Sequence, residues 1–343
     1  MGRDLRVVLV GAGRAGMVHG RNFASGVRGA RLHGVADPSD QNRKEAADEL
    51  GVSRSWADPL EAVGDDEVDA IVMGSPTFAH AEVAIAALEA GKHVLSEKPL
   101  CSNLEEARAV RAAVEASDAT FLMAFMRRFD EGYVRAHERI QAGDIGEPLL
   151  VRSSTRGPGL PPEWAWDTER SGGLVSEVNA HDLDAVRWLT GREYTTVRGL
   201  GRAAKRPDIR ERYPRFIDLF TATYEMTGEV ISRIDGACPA DYAYDNRAEV
   251  YGSEGVLMIG DVQANHTVLV RPDGVHADKT RSWRTLFAAG YRAEDEHFSA
   301  VVHGLEEPRT SVEDGIAALE AAIATNASIE QGGAAVALAD HRA

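Results

Sequence analysis

Leu5-Arg6-Val7-Val8-Leu9-Val10-Gly11-Ala12-Gly13-Arg14-Ala15-Gly16 decides the fold. A β-branched run is stopped by glycines spaced G-x-G-x-x-G, and a helical stretch follows at once. Alone the glycine pattern says little; a strand directly before it and a helix directly after it supply the context it needs. Outward from there, Arg31–Ala36, Val68–Met73, His93–Leu95 and Thr120–Phe125 are short apolar runs. Between them lie Ala- and Glu-rich stretches such as Ala79–Ala90, with Gly91 placed to end a helix. Strands alternating with helices predict βαβ units and a parallel sheet. The rhythm changes after Ala124. From Pro148 the spacing predicts period-2 strands at Leu149–Ser154, Thr195–Gly201, Phe216–Glu225, Val230–Gly236, Arg247–Gly252, Val256–Ile259 and Thr267–Arg271, hence a largely antiparallel sheet. Helices are expected at Leu174–Leu189, Ala293–Gly304 and Val312–Gln331, the last with a capping box from Ser311 and Asp314.

Composition bounds the function. A chain of 343 residues is long enough for two domains, at roughly 150 residues each. Lys and Arg total 38 against 54 Asp and Glu, a formal charge of −16. That sign disfavours nucleic acid and anionic membranes as partners, since both need a basic surface. Two cysteines, Cys101 and Cys238, cannot build a disulfide framework and suit a reducing cytoplasm. The stretch Met1–Arg6 lacks the apolar core of a secretory leader. No run nears the roughly 18 apolar residues of a membrane span.

The glycine turn reads as a dinucleotide site. Gly11 allows the tight turn, Gly13 lets a pyrophosphate approach the backbone, and Gly16 lets the helix pack on the strand, with its N-terminus toward the phosphates. Asp37 ends the second strand about 20 residues on, where a carboxylate accepts hydrogen bonds from ribose hydroxyls and repels a 2′-phosphate. NAD is therefore favoured over NADP; the nearest cations, Arg43 and Lys44, come later. The plain alternative is a glycine turn without a ligand.

Two further segments carry candidate chemistry. Gly91-Lys92-His93-Val94-Leu95-Ser96-Glu97-Lys98-Pro99 ends a sheet strand, the edge where open α/β sheets hold ligands. Lys98 there is placed to stabilise negative charge on a reacting oxygen; the alternative is a solvated lysine beside a proline turn. Glu97 is either its partner or a surface acid. In Ser176–Asp184, helical spacing of about 100° per residue sets Glu177, His181, Asp184 and Trp188 within roughly 60° of one another. Glu177 and His181 at i and i+4 make a workable acid–base pair, or an ordinary surface pair. The histidines His19, His33 and His93 show no metal spacing, and no metal is expected.

With these segments the chain resembles the glucose–fructose oxidoreductase / inositol dehydrogenase / rhizopine-catabolism (Gfo/Idh/MocA) family. The resemblance takes in Gly11–Gly16, Ser75-Pro76-Thr77 with His80, Gly91–Pro99, Phe125–Asp130, Gly146-Glu147-Pro148, Ser171-Gly172-Gly173, the His181–Asp184 helix, Tyr244–Gly255 and Glu313-Asp314-Gly315. It implies an N-terminal Rossmann doubly wound parallel sheet in residues 1–124. A C-terminal α/β domain follows in 125–343, with an open, mostly antiparallel sheet that makes homodimer or homotetramer contacts. It also implies NAD-dependent hydride transfer at a secondary hydroxyl or carbonyl of a cyclitol or sugar. Carried over by motif, Lys98 and His181 are catalytic, His181 moving the hydroxyl proton and Lys98 polarising the oxygen. The same carry-over gives a cofactor site of Gly11, Gly13, Arg14, Ala15, Gly16, Asp37, Ser75, Pro76, His80, Glu97 and Lys98. Apart from the carry-over, Arg127 or Arg128 follows the strand that leaves the nucleotide domain, and Trp164 and Trp166 lie in the Pro-rich loop; Arg128 and Trp166 are expected at the substrate, the alternatives being a surface arginine and a loop anchored by two indoles. Tyr244 matches a tyrosine near the substrate in inositol-type relatives, with core or sheet packing as its alternative. The inositol dehydrogenase branch has Asp four residues before the histidine; this chain has Glu177. That departure keeps open a sugar derivative as substrate, and the family's regulatory members keep open a non-catalytic sugar sensor.

Overall fold

A computed structural model describes residues 3–343; Met1 and Gly2, part of the stretch read above for a leader, lie outside the described residues. The chain divides into two compact units. The first runs to Phe129 and regains Ala289–Leu319, and the second comprises Asp130–Ala288 and Glu320–Arg342. A single cut after Ala124 is therefore too simple, because a late segment returns to the first unit.

The first unit begins with β1 (Leu5–Val10), α1 (Gly16–Ala24), β2 (Ala30–Ala36), α2 (Asp40–Leu50), β3 (Arg54–Trp56) and α3 (Pro59–Val63). It continues with β4 (Ala70–Met73), α4 (His80–Glu89), β5 (His93–Glu97), α5 (Leu104–Ala116) and β6 (Phe121–Ala124). The strands lie in the order β3-β2-β1-β4-β5-β6, every pair parallel. That is the doubly wound Rossmann order, with its switch point between β1 and β4. Val7, Val8, Leu9 and Val10 are all buried, as are Ala70–Met73, which is what a parallel sheet covered on both faces demands. Helix starts follow local chemistry: Ser39, Asp58 and Asn103 accept backbone N–H bonds as N-caps, and Pro59 opens α3.

At the switch point backbone packs on backbone. A Cβ on Gly11, whose φ is 87°, would lie 2.5 Å from the Ser75 Cα, and one on Gly74 would lie 2.5 Å from the Gly16 Cα. Only glycine fits there.

The second unit has α6 (Glu131–Gln141), β7 (Pro148–Arg156), α7 (Thr168–Ser171), α8 (Gly173–Glu177), α9 (Ala180–Thr190), β8 (Tyr194–Arg202), β9 (Leu219–Met226), β10 (Ile231–Ala237), β11 (Asp245–Gly252) and β12 (Val256–Ile259). A separate hairpin, β13 (Gln263–Arg271) and β14 (Gly274–Lys279), follows, then the short α10 (Trp283–Leu286). The large sheet runs β12-β11-β7-β10-β9-β8-β15, where β15 is Val336–Ala337. Its pairs are antiparallel except β7 with β10. Alternation is clean in β9: Phe220, Ala222, Tyr224 and Met226 are buried, while Leu219 is exposed. The buried face meets Thr325, Ser328 and Ile329: the Tyr224 hydroxyl is 2.8 Å from Thr325 Oγ1, and Ser328 Oγ accepts the Gly199 N–H at 2.8 Å.

Two long helices close the chain, α11 (Ala288–Val302) and α12 (Val312–Glu330). Asp314 Oδ2 accepts the Ser311 N–H at 2.9 Å and Ser311 Oγ faces the Asp314 N–H, the reciprocal cap read from the sequence. The helix expected over Leu174–Leu189 is broken. α8 stops at Glu177 and α9 starts at Ala180, because the fully buried Asn179 turns its amide toward the sheet, 3.4 Å from the Asp235 carbonyl. Among the described residues no helix is long and apolar enough to cross a membrane.

Gly74→Ala is expected to cost about 1–3 kcal/mol by overpacking the switch point. Gly13→Ala, whose Cβ would meet nothing nearer than the Gly74 carbonyl at 3.8 Å, should leave the melting temperature unchanged. Differential scanning calorimetry on both variants checks the contrast.

Candidate active site

The glycine turn starts where β1 ends, with the Gly11 N–H donated to the Ala36 carbonyl at 2.8 Å. α1 opens at Gly16 with no acidic side chain in its first turn and no side-chain cap, so its N-terminal N–H groups and dipole suit an anion. Gly13 and Arg14 are exposed. A Cβ at Gly13 would meet only the Gly74 carbonyl, at 3.8 Å, without crowding. That is the gap a closely approaching pyrophosphate needs, and the residues fit a dinucleotide.

Asp37 follows β2 and is 6% exposed. Its Oδ2 accepts the Ala12 N–H at 2.8 Å and its Oδ1 the Ser39 N–H at 2.8 Å. The carboxylate therefore fixes the glycine turn and keeps further lone pairs for a ribose. Arg43 is tethered nearby, donating to the Asp37 carbonyl at 2.7 Å and to the Asp40 carboxylate.

Ser75 and Pro76 follow β4 at the switch point and are half-buried. His80 is almost fully buried, its Nδ1 2.7 Å from the Pro99 carbonyl and its Nε2 2.9 Å from the Ser75 carbonyl. It ties two loops together rather than presenting a polar atom to a cofactor. Burial keeps its pKa below the usual histidine range, outweighing the two carbonyls. Lys98 leaves β5 half-buried. Glu97 does not fit the cofactor role expected of it. It is 3% exposed and one of its oxygens accepts the Lys98 N–H at 3.1 Å.

In the second unit His181 is the second residue of α9 and is 6% exposed. The next residue anchors it. Asp182, wholly buried, accepts from Ser153 Oγ at 2.6 Å, Thr155 Oγ1 at 2.7 Å and Asn179 Nδ2 at 2.9 Å. Asn246 Nδ2 donates to Thr155 Oγ1 at 3.0 Å, and the Tyr133 hydroxyl donates to Asn246 Oδ1 at 2.9 Å. A polar chain through α6, β11 and β7 thus fixes the start of α9. Gly236 on β10 makes room for it, since a Cβ there would fall 2.2 Å from Asn179 Oδ1. Glu177 ends α8, so Glu177 and His181 are not an i,i+4 pair on one helix. They flank the break.

Two of the three expected substrate residues also make contacts within the protein. Arg128 donates to the Arg309 carbonyl and to Asp314 Oδ1, each at 2.8 Å, anchoring the returning segment. The Trp166 indole N–H goes to the Pro161 carbonyl at 2.9 Å, and its ring meets Tyr213 and Phe216 edge-on. Tyr244 is 5% exposed with its ring edge-on to Phe287 at 6.4 Å. Asp182 was legible only as part of the His181–Asp184 run; its partners Ser153 and Thr155 carry no local signal.

Comparison with known proteins agrees with this geometry. The family described as "Oxidoreductase family, NAD-binding Rossmann fold" (GFO_IDH_MocA) matches residues 5–125, and the GFO/IDH/MocA C-terminal domain matches 133–258. The chain is 34% identical over 332 residues to a scyllo-inositol 2-dehydrogenase (NAD(+)) of Bacillus subtilis, covering 97% of this chain and 96% of that protein. It is 31% identical to a myo-inositol 2-dehydrogenase of Thermotoga maritima, covering 95% and 97%. Among solved structures, scyllo-inositol dehydrogenase from Lactobacillus casei with bound NAD(H) and scyllo-inositol superposes with a TM-score of 0.91 at 26% identity, over 98% of this chain and 100% of that one.

Asp37→Ala is expected to weaken NAD binding more than NADP binding, because it removes the ribose acceptor and the repulsion of a 2′-phosphate together. Fluorescence titration with both nucleotides measures the two Kd values.

Proposed function

The chain belongs to the Gfo/Idh/MocA oxidoreductase family, and from that premise we propose that it acts as an NAD-dependent inositol 2-dehydrogenase. The observation that carries the reading is the glycine turn, where Gly13 leaves the gap a pyrophosphate needs and Asp37 closes the turn from β2. Bound NAD supplies the hydride acceptor for a carbinol carbon. The turn Gly11–Gly16 holds its pyrophosphate and Asp37 its ribose.

The reactive roles fall to residues of this chain. Lys98 donates to the substrate oxygen and stabilises alkoxide character. The His181 imidazole takes the hydroxyl proton in oxidation and returns it in reduction. Glu177 orients His181 or a neighbouring ring hydroxyl, and Tyr244 lines the substrate. Inositol as substrate is supported by two relatives named as inositol 2-dehydrogenases, which this chain matches over nearly their whole length. A second reading, a sugar derivative, is favoured by one observation. Glu177 stands where the inositol branch has Asp, and it reaches one methylene further.

Self-association is part of the proposal. One face of the large sheet exposes Leu200, Leu219, Ile231, Tyr251, Val256 and Met258, an apolar surface suited to a homodimer or homotetramer. The two free, buried cysteines accord with a cytoplasmic setting.

A steady-state panel of cyclitols and sugars with NAD, followed by reduced-nicotinamide absorbance, tests the substrate. Turnover of scyllo- or myo-inositol is expected; turnover confined to a sugar derivative replaces the first reading by the second. Lys98→Ala and His181→Ala should each lower kcat by about 10²–10⁴-fold while NAD binding survives. Normal kcat in both overturns the roles.

A further inference from the structure

Three side chains far apart in the chain meet inside the first unit. His19 lies on α1, Glu97 ends β5 and Asp295 lies on α11. His19 and Asp295 are wholly buried and Glu97 nearly so. His19 Nδ1 is 2.6 Å from Asp295 Oδ1, and His19 Nε2 is 3.3 Å from Glu97 Oε1. The other oxygen of Glu97, Oε2, accepts the Lys98 N–H at 3.1 Å. Behind the chain, Asn22 Nδ2 donates to Asp295 Oδ2 at 2.7 Å and Tyr291 meets the imidazole edge-on at 5.3 Å.

Both ring nitrogens of His19 face carboxylates, and only the imidazolium has an N–H for each. Burial opposes that charge, but Asp295 and Glu97 outweigh it and hold the pKa well above the usual histidine range. Burial likewise works against the Glu97 carboxylate, and His19 overcomes it, keeping Glu97 below the usual range. The line Asp295–His19–Glu97 is thus a run of charge-assisted hydrogen bonds. It is a hydrogen-bonded relay and not a metal set, since a nitrogen and an oxygen 2.6 Å apart share a proton and leave no room for an ion between them.

Such a device is a poor means of stabilising a fold. Apolar side chains of equal volume would join α1, α11 and β5 without burying charge. What apolar side chains cannot do is accept the Lys98 N–H. On the other side of the same residue His80 contacts the Pro99 carbonyl at 2.7 Å. Buried histidines therefore grip the turn carrying Lys98 from both sides, one through Glu97 and one through Pro99.

We propose that His19 and Asp295 are positioning residues for Lys98: the buried relay Asp295–His19–Glu97 fixes the backbone from which the Lys98 ammonium extends. The inference rests on Lys98 acting on substrate as proposed above. A misplacement of about 1 Å can cost on the order of 10²-fold in rate, so a loosened turn shows in kcat before it shows in binding.

The test uses the full chain with Asp295→Asn and His19→Gln, which keep size and polarity while removing the charges. Four quantities are read for each: melting temperature, NAD Kd, kcat and KM for the cyclitol turned over, and competitive acetylation of the Lys98 amine by mass spectrometry without substrate. In both variants kcat should fall about 10- to 10²-fold. NAD Kd and KM should stay within about twofold of wild type, and the Lys98 acetylation rate should change. Asp295→Glu should recover part of the lost kcat. Folded variants with wild-type kcat and wild-type acetylation overturn the proposal. So does a parallel fall of melting temperature, NAD affinity and kcat, or failure of both variants to fold, since the trio is then structural packing. If wild-type protein turns over no polyol, the substrate reading fails, while the acetylation comparison still decides whether the relay sets Lys98.

Discussion

Contact of bare backbone with bare backbone at the sheet's switch point underlies the rest. Gly11, Gly16 and Gly74 lie so close that a single added carbon on any of them meets main-chain atoms. β1, α1 and β4 can therefore approach only because these positions carry no side chain. The same crowding makes Gly13 conspicuous. It sits in the same turn with room beyond its Cα, so the turn is tight wherever protein meets protein and open where a phosphate belongs. Asp37 completes the arrangement by tying Ala12 to the end of β2. The fold and the nucleotide site are two consequences of one packing constraint.

In each unit a buried carboxylate also fixes the backbone beside the side chain proposed to react. In the second unit Asp182 draws donors from β7 and from Asn179, which fixes the first turn of α9, where His181 lies. In the first, Glu97 performs the corresponding service for Lys98, itself steadied by His19. Buried polar groups that satisfy one another define one geometry, whereas apolar packing tolerates several. Lysine and histidine both need that definition, because neither long ammonium stem nor imidazole is held in place by its own bulk.

Much of this was legible before any coordinates. β-branched runs marked five of the six parallel strands, and the glycine spacing marked the switch point. β3 was missed because Arg54-Ser55-Trp56 is short and half polar. The break between α8 and α9 escaped notice because periodicity continues through it; what ends the helix is Asn179 turning to β10, a tertiary event. At the proposed site, contiguous motifs carry Lys98, His181 and Asp37. They could not show that the Arg128 guanidinium also holds the Arg309 carbonyl and that the Trp166 indole N–H goes to the Pro161 carbonyl. Nor could they reveal His19 with Asp295, since 276 positions separate the two.

The return of Ala289–Leu319 to the first unit has a consequence for biogenesis. During synthesis the ribosome delivers the whole parallel sheet early, yet Asp295, which neutralises the buried His19, emerges only after most of the second unit has been made. Until then the nascent nucleotide-binding half has the His19 imidazole without one of its two carboxylate partners, and α11 is missing. The first unit is therefore complete in sequence only after Asp130–Ala288 has been synthesised, and an excised fragment ending at Phe129 would lack an interior part of its own architecture.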